Sequence, residues 1–335
     1  MHTSKFINKE EIFTLNKFYA FLFFDVDTII DDINNDFDKS IRSSITTKNR
    51  DKVKSSFLKY NSYVFSTYAL GERNFKFSRS LTNHRLYGPL TNYPKKLRKH
   101  FTIAGKKIVS IDLSNAQPFF SLLLFNRDFW LGENSSNPLP INIETIGMKD
   151  FFTGAIYNYI DDNNFPSLGQ YADLVLNNKL YDRLIDPSNK DYDKARKKAK
   201  NSLYGIIFSE VENKYEIKPE SDRGRFKTAF PDVYDFFSFI KREENQYAPV
   251  ILNTVTNKIQ ESHTLLPIML QRIEAFIFID VIVPYILKHH PNIPLIPIHD
   301  CLATTIGNEQ VIEKVIGEKI IEYTGNVPKL TTEFW

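Results

Sequence analysis

Two apolar segments of this sequence each lead into an aspartate, a residue type that binds hard cations through its carboxylate. The run 106–111, rich in β-branched residues, is typical of a strand and ends at Asp112. The segment 293–306 consists of two short apolar runs around Asp300, which is typical of a β-hairpin. Carboxylates from two strand ends can hold a pair of Mg²⁺ ions, because hard cations take oxygen ligands and such pairs stabilise attacking and leaving oxygens. The backbone carbonyl of Leu113 offers a further oxygen.

Both aspartates also have purely structural interpretations. Asp112 or Ser114 could cap the apolar helix that Pro118 begins, since short polar side chains accept hydrogen bonds from the first backbone N–H groups. Asp300 could serve the hairpin turn alone, because Asp is a common turn residue. Against capping, a carboxylate buried without a partner at the end of an apolar strand is costly.

A third segment places two cations and two aromatic rings on one face of a predicted helix. Four residues recur at every fourth position: Arg196, Lys200, Tyr204 and Phe208. This spacing puts them on one helix face. Such a face suits a nucleoside triphosphate, since Arg and Lys bind phosphates and rings contact a base. Gly205 would allow a ligand close to the backbone. The structural alternative is a solvated basic helix end whose rings pack inward.

The order of the three segments is more specific than any one of them. An acid at a strand end, a basic–aromatic helix and an acid at a hairpin are what an enzyme needs to hold metal ions beside a triphosphate. The sequence therefore predicts a nucleotidyltransferase.

These segments resemble the three motifs of the family A DNA polymerases and of the related single-subunit, phage-type RNA polymerases. In that family the motifs are an Asp followed two residues later by Ser, an Arg, Lys and aromatic-Gly at helical spacing, and His-Asp in a hairpin. The matching residues are Asp112 and Ser114, then Arg196, Lys200, Tyr204 and Gly205, and then His299 and Asp300. The resemblance covers about residues 83–335 and implies a right-hand polymerase fold without an exonuclease domain.

The resemblance implies catalytic roles for three side chains and two metal ions as cofactors. Asp112 and Asp300 would hold two Mg²⁺ or Mn²⁺ ions, with Leu113 as a backbone ligand. A primer 3′-hydroxyl would attack the α-phosphate of a nucleoside triphosphate, and Lys200 would protonate the leaving pyrophosphate. The implied nucleotide-binding residues are Arg196, Lys200, Tyr204, Gly205, Phe208, Gln117 and Ser114.

Primer–template nucleic acid is the second implied partner. The residues matched to nucleic-acid contacts are Arg85, Asn92, Lys95, Arg98, His299 and Glu274, the last two near the primer terminus. The net charge is only +3, so an anionic duplex must be held by local clusters such as 95–99 rather than by a global field.

The sequence departs from the family at the pair that excludes a ribose 2′-hydroxyl. Many DNA polymerases of the family have Glu at the position of Gln117, hydrogen-bonded to a Tyr at the position of Phe208. Phe lacks the hydroxyl and cannot make this bond. The choice of sugar therefore stays open: DNA synthesis is the leading interpretation, and RNA polymerase or primase activity is the first alternative.

Two interpretations of other classes also remain. The chain could be a nucleic-acid-binding protein that keeps the polymerase fold without turnover. It could also be a two-metal nuclease, although hydrolysis does not need the triphosphate-binding face that contains Arg196, Lys200 and Tyr204.

The composition of the 335 residues narrows the class of protein and its expected location. Hydrophobic residues make up 42% and charged residues 25%, as in a globular protein. The single cysteine, Cys301, excludes disulfides and cysteine-based zinc sites and favours a reducing, cytoplasmic compartment. We expect neither a targeting nor a membrane segment, because two aspartates interrupt the apolar stretch 18–30. The Asn-, Ile-, Lys- and Phe-rich composition is associated with AT-rich genomes such as those of mobile elements and phages.

The elements that must position these residues predict an α+β fold with helices around a small antiparallel sheet. Residues 1–80 have helical patterning, one helix is predicted over 190–210, and Pro284 predicts a kink in the helical segment 263–289. The resemblance to a right-hand polymerase implies four regions: a helical region or reduced thumb at 1–82, the first part of the palm at 83–127, helical fingers at 128–260 and the second part of the palm at 261–335.

Overall fold

The structure is a computed structural model, and it describes residues 9–46, 50–185, 191–211, 221–246, 252–253, 258–259 and 261–335. The α-helices in these ranges are α1 (Lys9–Ala20), α2 (Val26–Thr46), α3 (Arg50–Gly71), α4 (Ala116–Ser121), α5 (Arg127–Leu131), α6 (Ala155–Asp162), α7 (Leu168–Leu176), α8 (Leu180–Leu184), α9 (Tyr192–Phe208), α10 (Asp222–Ala229), α11 (Pro231–Ile240), α12 (Leu265–Ala275), α13 (Val283–His289) and α14 (Glu309–Thr324). The strands are β1 (Leu22–Phe23), β2 (Ser78–Arg79), β3 (Leu86–Tyr87), β4 (Thr102–Ile103), β5 (Lys106–Leu113), β6 (Leu252–Asn253), β7 (Lys258–Ile259), β8 (Ile296–Ile298), β9 (Cys301–Thr305) and β10 (Leu330–Phe334).

Strand β5 is the centre of the main sheet and carries the first predicted aspartate. The strand order is β1-β4-β5-β9-β8, β10 also pairs with β5, and all these pairings are antiparallel. Most of β5 is buried, which suits its β-branched residues. Asp112 lies opposite Cys301 of β9 and Thr331 of β10. Strand pairing on both sides therefore fixes the backbone position of Asp112.

Helix α12 forms the buried centre of the helical layer. All its residues except Gln271 are buried, so it lacks the polar face of a surface helix. A π-helix, Phe276–Ile282, continues α12 into α13. One large cluster of buried side chains joins α4, α11, α12 and α14 to the sheet, and a smaller one joins α2 and α3 to β4.

The predicted α+β class with an antiparallel sheet is confirmed. The strand before Asp112 is β5, the hairpin is β8–β9, and α9 accounts for the helix expected over 190–210, of which residue 190 lies outside the described residues. Residues 9–46 and 50–71 are mostly helical, as predicted, while residues 1–8 and 47–49 of the predicted helical region lie outside the described ranges. The thumb, palm and fingers regions stay a prediction.

The irregularity expected at Pro284 lies before this residue. Pro284 is in the first turn of α13, which follows the π-helix without a break. The departure from α-helical geometry is the π-helix that precedes it. None of the helices in the described ranges combines the length and hydrophobicity that a membrane span requires.

Candidate active site

The register of the central strands brings Asp112 and Asp300 together. Asp112 lies opposite Cys301, the residue that follows Asp300. The backbone N–H of Leu113 donates to the carbonyl of Asp300 at 3.1 Å, so the strand ladder reaches the turn. Because neighbouring strands lie about 5 Å apart, the two carboxylates are neighbours at this end of the sheet.

The two carboxylates are difficult to ionise together. Burial and the charge of Asp300 raise the pKa of Asp112, and burial raises the pKa of Asp300. Lys200 acts in the opposite direction on both acids, because a nearby cation favours the carboxylate form. The pair thus forms an electronegative site at which a bound cation would be stabilised.

Residues in the left-handed backbone region adjoin both aspartates. Asn115 has a φ of 56° and His299, directly before Asp300, has a φ of 57°. This region costs free energy for residues other than glycine, although Asn and His occupy it more often than most. Asn115 is the N-cap residue of α4, so the interpretation of Asp112 or Ser114 as the cap is wrong.

A hydrogen-bond network joins Arg85, Glu274 and Gln117 near Asp300. The guanidinium of Arg85 donates from Nε to Oε1 of Glu274 at 2.8 Å and from Nη2 to Oε2 at 2.7 Å. Nε2 of Gln117 donates to the same Oε2 at 2.9 Å. The charge of Asp300 influences the pKa of both Arg85 and Glu274, which indicates their proximity. Bidentate pairing fixes both planar groups, so Arg85 is held in one orientation.

Glu274 is committed to this network. Its side chain is 1% exposed, and both carboxylate oxygens accept hydrogen bonds. Burial and the charge of Asp300 raise its pKa to about 7, while Arg85 and Gln117 act in the opposite direction. Both oxygens are occupied by Arg85 and Gln117, so a direct contact of Glu274 with a primer terminus would require one of these hydrogen bonds to break, and this contact stays a prediction. Its role in the structure is to hold Arg85.

Gln117 retains one hydrogen-bonding atom without a protein partner. The residue is 3% exposed, and its Oε1 has no hydrogen-bond partner among the described residues. The carboxylate of Glu274 requires a donor, so the amide presents Nε2 to it and leaves Oε1 as the free acceptor. A buried acceptor without a donor costs about 1–3 kcal/mol. This atom is available to a donor from a ligand.

His299 packs at the hairpin turn as a neutral ring. Its centroid lies 5.3 Å from that of Tyr87, edge to face. Burial lowers its pKa to about 4, with contributions from the charges of Arg85 and Arg98. Its Nδ1 is buried and has no hydrogen-bond partner in the described part of the chain.

Helix α9 carries the predicted phosphate-binding face beside the acids. The helix buries another face, made of Ala195, Ala199, Leu203, Ile206 and Ile207. Arg196 donates from Nε to Asp182 and from Nη2 to the Asn178 side chain, both at 3.1 Å. Lys200 is exposed, and its Nζ lies 5.9 Å from the centroid of the Tyr204 ring.

The two rings of α9 differ in exposure, since Tyr204 is half-buried and Phe208 is exposed, whereas the structural alternative has both rings pack inward. Burial raises the pKa of Tyr204 to about 12, and the charges of Asp300, Glu274 and Asp112 contribute in the same direction. Phe208 is 37% exposed, with its ring centroid 5.9 Å from that of Tyr204. A Cβ at Gly205 would have no neighbour within 4 Å, so the space beside this backbone is open.

The residues predicted to contact nucleic acid are more engaged with the protein than the sequence indicates. Asn92 is exposed, but Lys95 forms an ion pair with Glu333 at 2.5 Å. Arg98 donates to the carbonyls of Tyr93 and Leu90 at 3.3 Å. Two other lysines of the cluster pair with acids of α2: Lys96 with Asp36 and Lys99 with Asp32. The basic cluster is therefore partly neutralised.

Sequence reasoning missed a set of contacts between the β2–β3 hairpin and the α12 region. Arg79 forms a bidentate pair with Asp280 at 2.5 and 2.6 Å. Arg272, 5% exposed, donates to backbone carbonyls of this hairpin. These partners are far apart in the chain, so the sequence shows that the residues are charged but not which residues they contact.

The chemistry of the donor set at Asp112 and Asp300 fits divalent cations. Carboxylate oxygens are the ligands that Mg²⁺ and Mn²⁺ prefer. Lys200 lowers the pKa of both acids, Lys95 that of Asp112 and Arg85 that of Asp300, but burial still raises the pKa of both. Elsewhere in the described residues, ligand atoms of Glu210, Glu261 and His263 lie within 4.8 Å of one another.

Comparisons with known proteins place the fold among DNA polymerases. No family model matches the sequence, and no curated protein does. Among solved structures, the chain is similar to the POL domain of Pol1 from M. smegmatis, solved in complex with DNA primer-template and dNTP. The similarity covers 97% of this chain and 68% of that chain, with a TM-score of 0.53 and 12% sequence identity. This likeness shows a polymerase-like fold.

Proposed function

We propose that this protein is a template-directed nucleotidyltransferase, and that it extends a primer with deoxynucleoside triphosphates as a DNA polymerase. The observation that carries the proposal is the juxtaposition of the Asp112–Asp300 pair with the Lys200 and Tyr204 face of α9. The polymerase-like fold supports it, since the similar POL domain was solved with DNA primer-template and dNTP. We also propose that the four regions predicted from the sequence correspond to a small thumb, a divided palm and helical fingers.

In the proposed reaction Asp112 and Asp300 hold two Mg²⁺ ions, with the carbonyl of Leu113 as a further ligand. Bound Mg²⁺ would neutralise charge on the attacking and leaving oxygens. Arg196 and Lys200 bind the triphosphate, and Lys200 donates a proton toward the leaving pyrophosphate. Their charge stabilises the transferring phosphoryl group.

Other side chains position the substrates. Tyr204 contacts the sugar and base of the incoming nucleotide, with Phe208, Gly205 and Ser114 bordering the same space. Asn92, Lys95 and Arg98 bind the nucleic-acid backbone, for which Lys95 must exchange Glu333 for a phosphate. Arg85 and His299 lie toward the primer terminus.

The test is extension of a labelled primer on a template with Mg²⁺ and deoxynucleoside triphosphates. We expect template-dependent extension that is lost in Asp112→Asn and Asp300→Asn and retained in Lys197→Ala, an exposed cation of α9 off the predicted face. Binding of primer–template without incorporation would support the non-catalytic alternative. Degradation of the nucleic acid without triphosphates would support a nuclease.

One observation favours a second candidate, the use of ribonucleotides. Gln117 has a buried, unpartnered Oε1, which could accept a hydrogen bond from a sugar hydroxyl. Phe208 cannot bind Gln117 through a hydroxyl and is turned toward solvent and Tyr204. The hydrogen-bonded Glu–Tyr pair that excludes a 2′-hydroxyl in many family A DNA polymerases cannot form from these two residues.

Competition between ribonucleotides and deoxyribonucleotides tests this candidate. If Gln117 accepts the 2′-hydroxyl, Gln117→Leu should reduce kcat/KM for ribonucleotides about tenfold more than that for deoxyribonucleotides, since loss of the hydrogen bond to Glu274 affects both substrates alike. Equal loss for both sugars would count against it.

A further inference from the structure

We propose that Arg272 is a positioning residue, which sets the orientation of Arg85 toward nucleic acid by holding the loop 80–85 against α12. The inference rests on the proposed function for its activity readout. Arg272 itself lies on α12, beneath the loop 80–85, and has no predicted contact with nucleotide, metal or primer.

Helix α12 and the π-helix after it make a row of side-chain contacts with the β2–β3 hairpin. The row begins where Gln271 accepts from Nδ2 of Asn83 at 3.0 Å and continues with the bidentate pair of Glu274 with Arg85. It ends where Asp280 binds Arg79. The strands β2 and β3 have only two residues each. A hairpin of this size is not stable alone, so these contacts determine where the loop lies.

Arg272 is the buried centre of this row. Its Nε donates to the carbonyl of Thr82 at 2.7 Å, and its Nη2 donates to that of Leu81 at 3.3 Å. Its Nη1 donates to the carbonyls of Gly147 at 2.7 Å and Ile146 at 3.3 Å. The guanidinium thus joins three segments: α12, the loop 80–85 and the turn at 146–147.

The partners of Arg272 explain why a guanidinium is needed. Within the described ranges, its hydrogen bonds all go to backbone carbonyls, and burial lowers its pKa to about 10. A buried cation without a carboxylate depends on a full set of oriented dipoles. The planar fork of Arg reaches carbonyls on two sides, whereas a lysine ammonium is a compact point charge and cannot join both segments.

The loop connects Arg272 to Arg85 through a short path. Leu81 and Thr82 lie four and three residues before Arg85, and the backbone N–H of Ser80 donates to the carbonyl of Arg85 at 3.0 Å. Release of the 81–82 carbonyls would allow the loop to move away from α12. The backbone of Arg85 would then be displaced, and its guanidinium could keep the pair with Glu274 only by changing its orientation.

The experiment compares Arg272→Lys with wild type in steady-state primer extension and by hydrogen exchange of amides 80–85. We expect KM for primer–template to rise on the order of tenfold with kcat reduced less than about threefold, and the loop amides to exchange faster. Arg73→Lys is the matched control, because Arg73 also donates to three backbone carbonyls, those of Tyr19, Ala20 and Leu22. It should leave both readouts unchanged.

A double mutant tests whether Arg272 acts through Arg85. If it does, Arg272→Lys added to Arg85→Ala should change KM by less than about twofold, because the effects of coupled residues are not additive. Full additivity, or an unchanged KM in a folded Arg272→Lys protein, would overturn the proposal. If Arg272→Lys does not fold, Gln271→Leu is the substitute, because it removes the hydrogen bond that ties Asn83 of the same loop to α12. We expect the same changes in KM and exchange rate, but smaller. An unchanged KM and exchange rate in this variant would also overturn the proposal.

The two proposals can fail separately. Wild-type protein that extends no primer–template would refute the proposed polymerase function. Hydrogen exchange would then decide the positioning role by itself: faster exchange at 80–85 in Arg272→Lys supports it, and unchanged exchange overturns it.

Discussion

The acids at the end of the sheet and the cations on α9 are held in opposite ways. Around Asp112 and Asp300, charged side chains are partly or fully buried and are oriented by strand pairing or by bidentate hydrogen bonds, as in the Arg85–Glu274 pair. On α9, Lys200 is exposed, and Arg196 shares a partly exposed ion pair with Asp182.

This difference separates preorganised groups from adjustable ones. Buried, oriented charges cost folding free energy but need no rearrangement when the reaction occurs. Exposed cations on a helix cost little and can change partners when a triphosphate arrives. Substitutions in the first region should therefore change activity and stability separately or in opposite directions, whereas those on α9 should change substrate binding alone.

The largest expected effect is at the paired acids. Asp112→Asn or Asp300→Asn should reduce kcat for primer extension by at least about 10³-fold. The melting temperature should stay the same or rise, because the substitution removes repulsion between buried acids. Parallel extension and thermal unfolding assays check both. Loss of activity accompanied by a lower melting temperature would indicate that the acids are structural.

The next effect is on stability. Arg85→Met leaves the buried carboxylate of Glu274 without its counter-charge, and should lower the free energy of unfolding by about 3–5 kcal/mol. Urea unfolding at pH 8, where the Glu274 carboxylate is ionised, measures this. Glu313→Gln, an exposed acid of α14, is the control and should stay within about 0.5 kcal/mol of wild type. A similar change in the free energy of unfolding for both variants would mean that the Arg85–Glu274 network is not preorganised at a cost in folding free energy.

On α9 the expected change is in nucleotide affinity. Arg196→Ala and Lys200→Ala should each raise KM for the triphosphate by about tenfold or more while the melting temperature changes little. Titration of nucleotide in the extension assay, with Lys197→Ala as the control on the same helix, provides the measurement. A large drop in melting temperature with unchanged KM would mean that these cations stabilise the fold and do not bind the triphosphate.

The smallest effect concerns acid sensitivity of the hairpin. Burial and the charges of Arg272 and Arg79 lower the pKa of His84 to about 3. Between this value and the ordinary value of about 6.5, the unfolded state binds more protons than the folded state, so this contribution to stability is lost as pH falls. His84→Asn should remove about 2 kcal/mol of the stability change between pH 7 and pH 5. Denaturation at both pH values checks this, and Lys197→Ala, at an exposed cation of α9, should retain the wild-type slope.

The local elements of the site were predictable, and the partners of its buried charges were not. The β-branched run before Asp112 and the apolar runs around Asp300 predict β5 and the β8–β9 hairpin, because strand preference and turn chemistry are local. The partner of Arg85 depends on how α12 packs against a hairpin far away in the chain. For this reason the pairing of Glu274 with Arg85 could not be predicted from the sequence.

Two further features could not be read from spacing. The π-helix Phe276–Ile282 leaves no periodic signal, since the segment is apolar almost throughout. The basic residues at 95–99 predict a positive surface, but α2 brings Asp36 and Asp32 against Lys96 and Lys99. Charge pairing of this kind follows from tertiary packing rather than from local sequence.

The left-handed residues beside the two aspartates have a consequence for evolution and for protein engineering. Asn115 and His299 occupy a backbone conformation that glycine adopts without cost. Selection for heat resistance alone should therefore accept glycine at these positions and apolar replacements of the nearby acids. A library sorted only for survival at high temperature should accumulate changes at this end of the sheet, and its most robust members should be the least active.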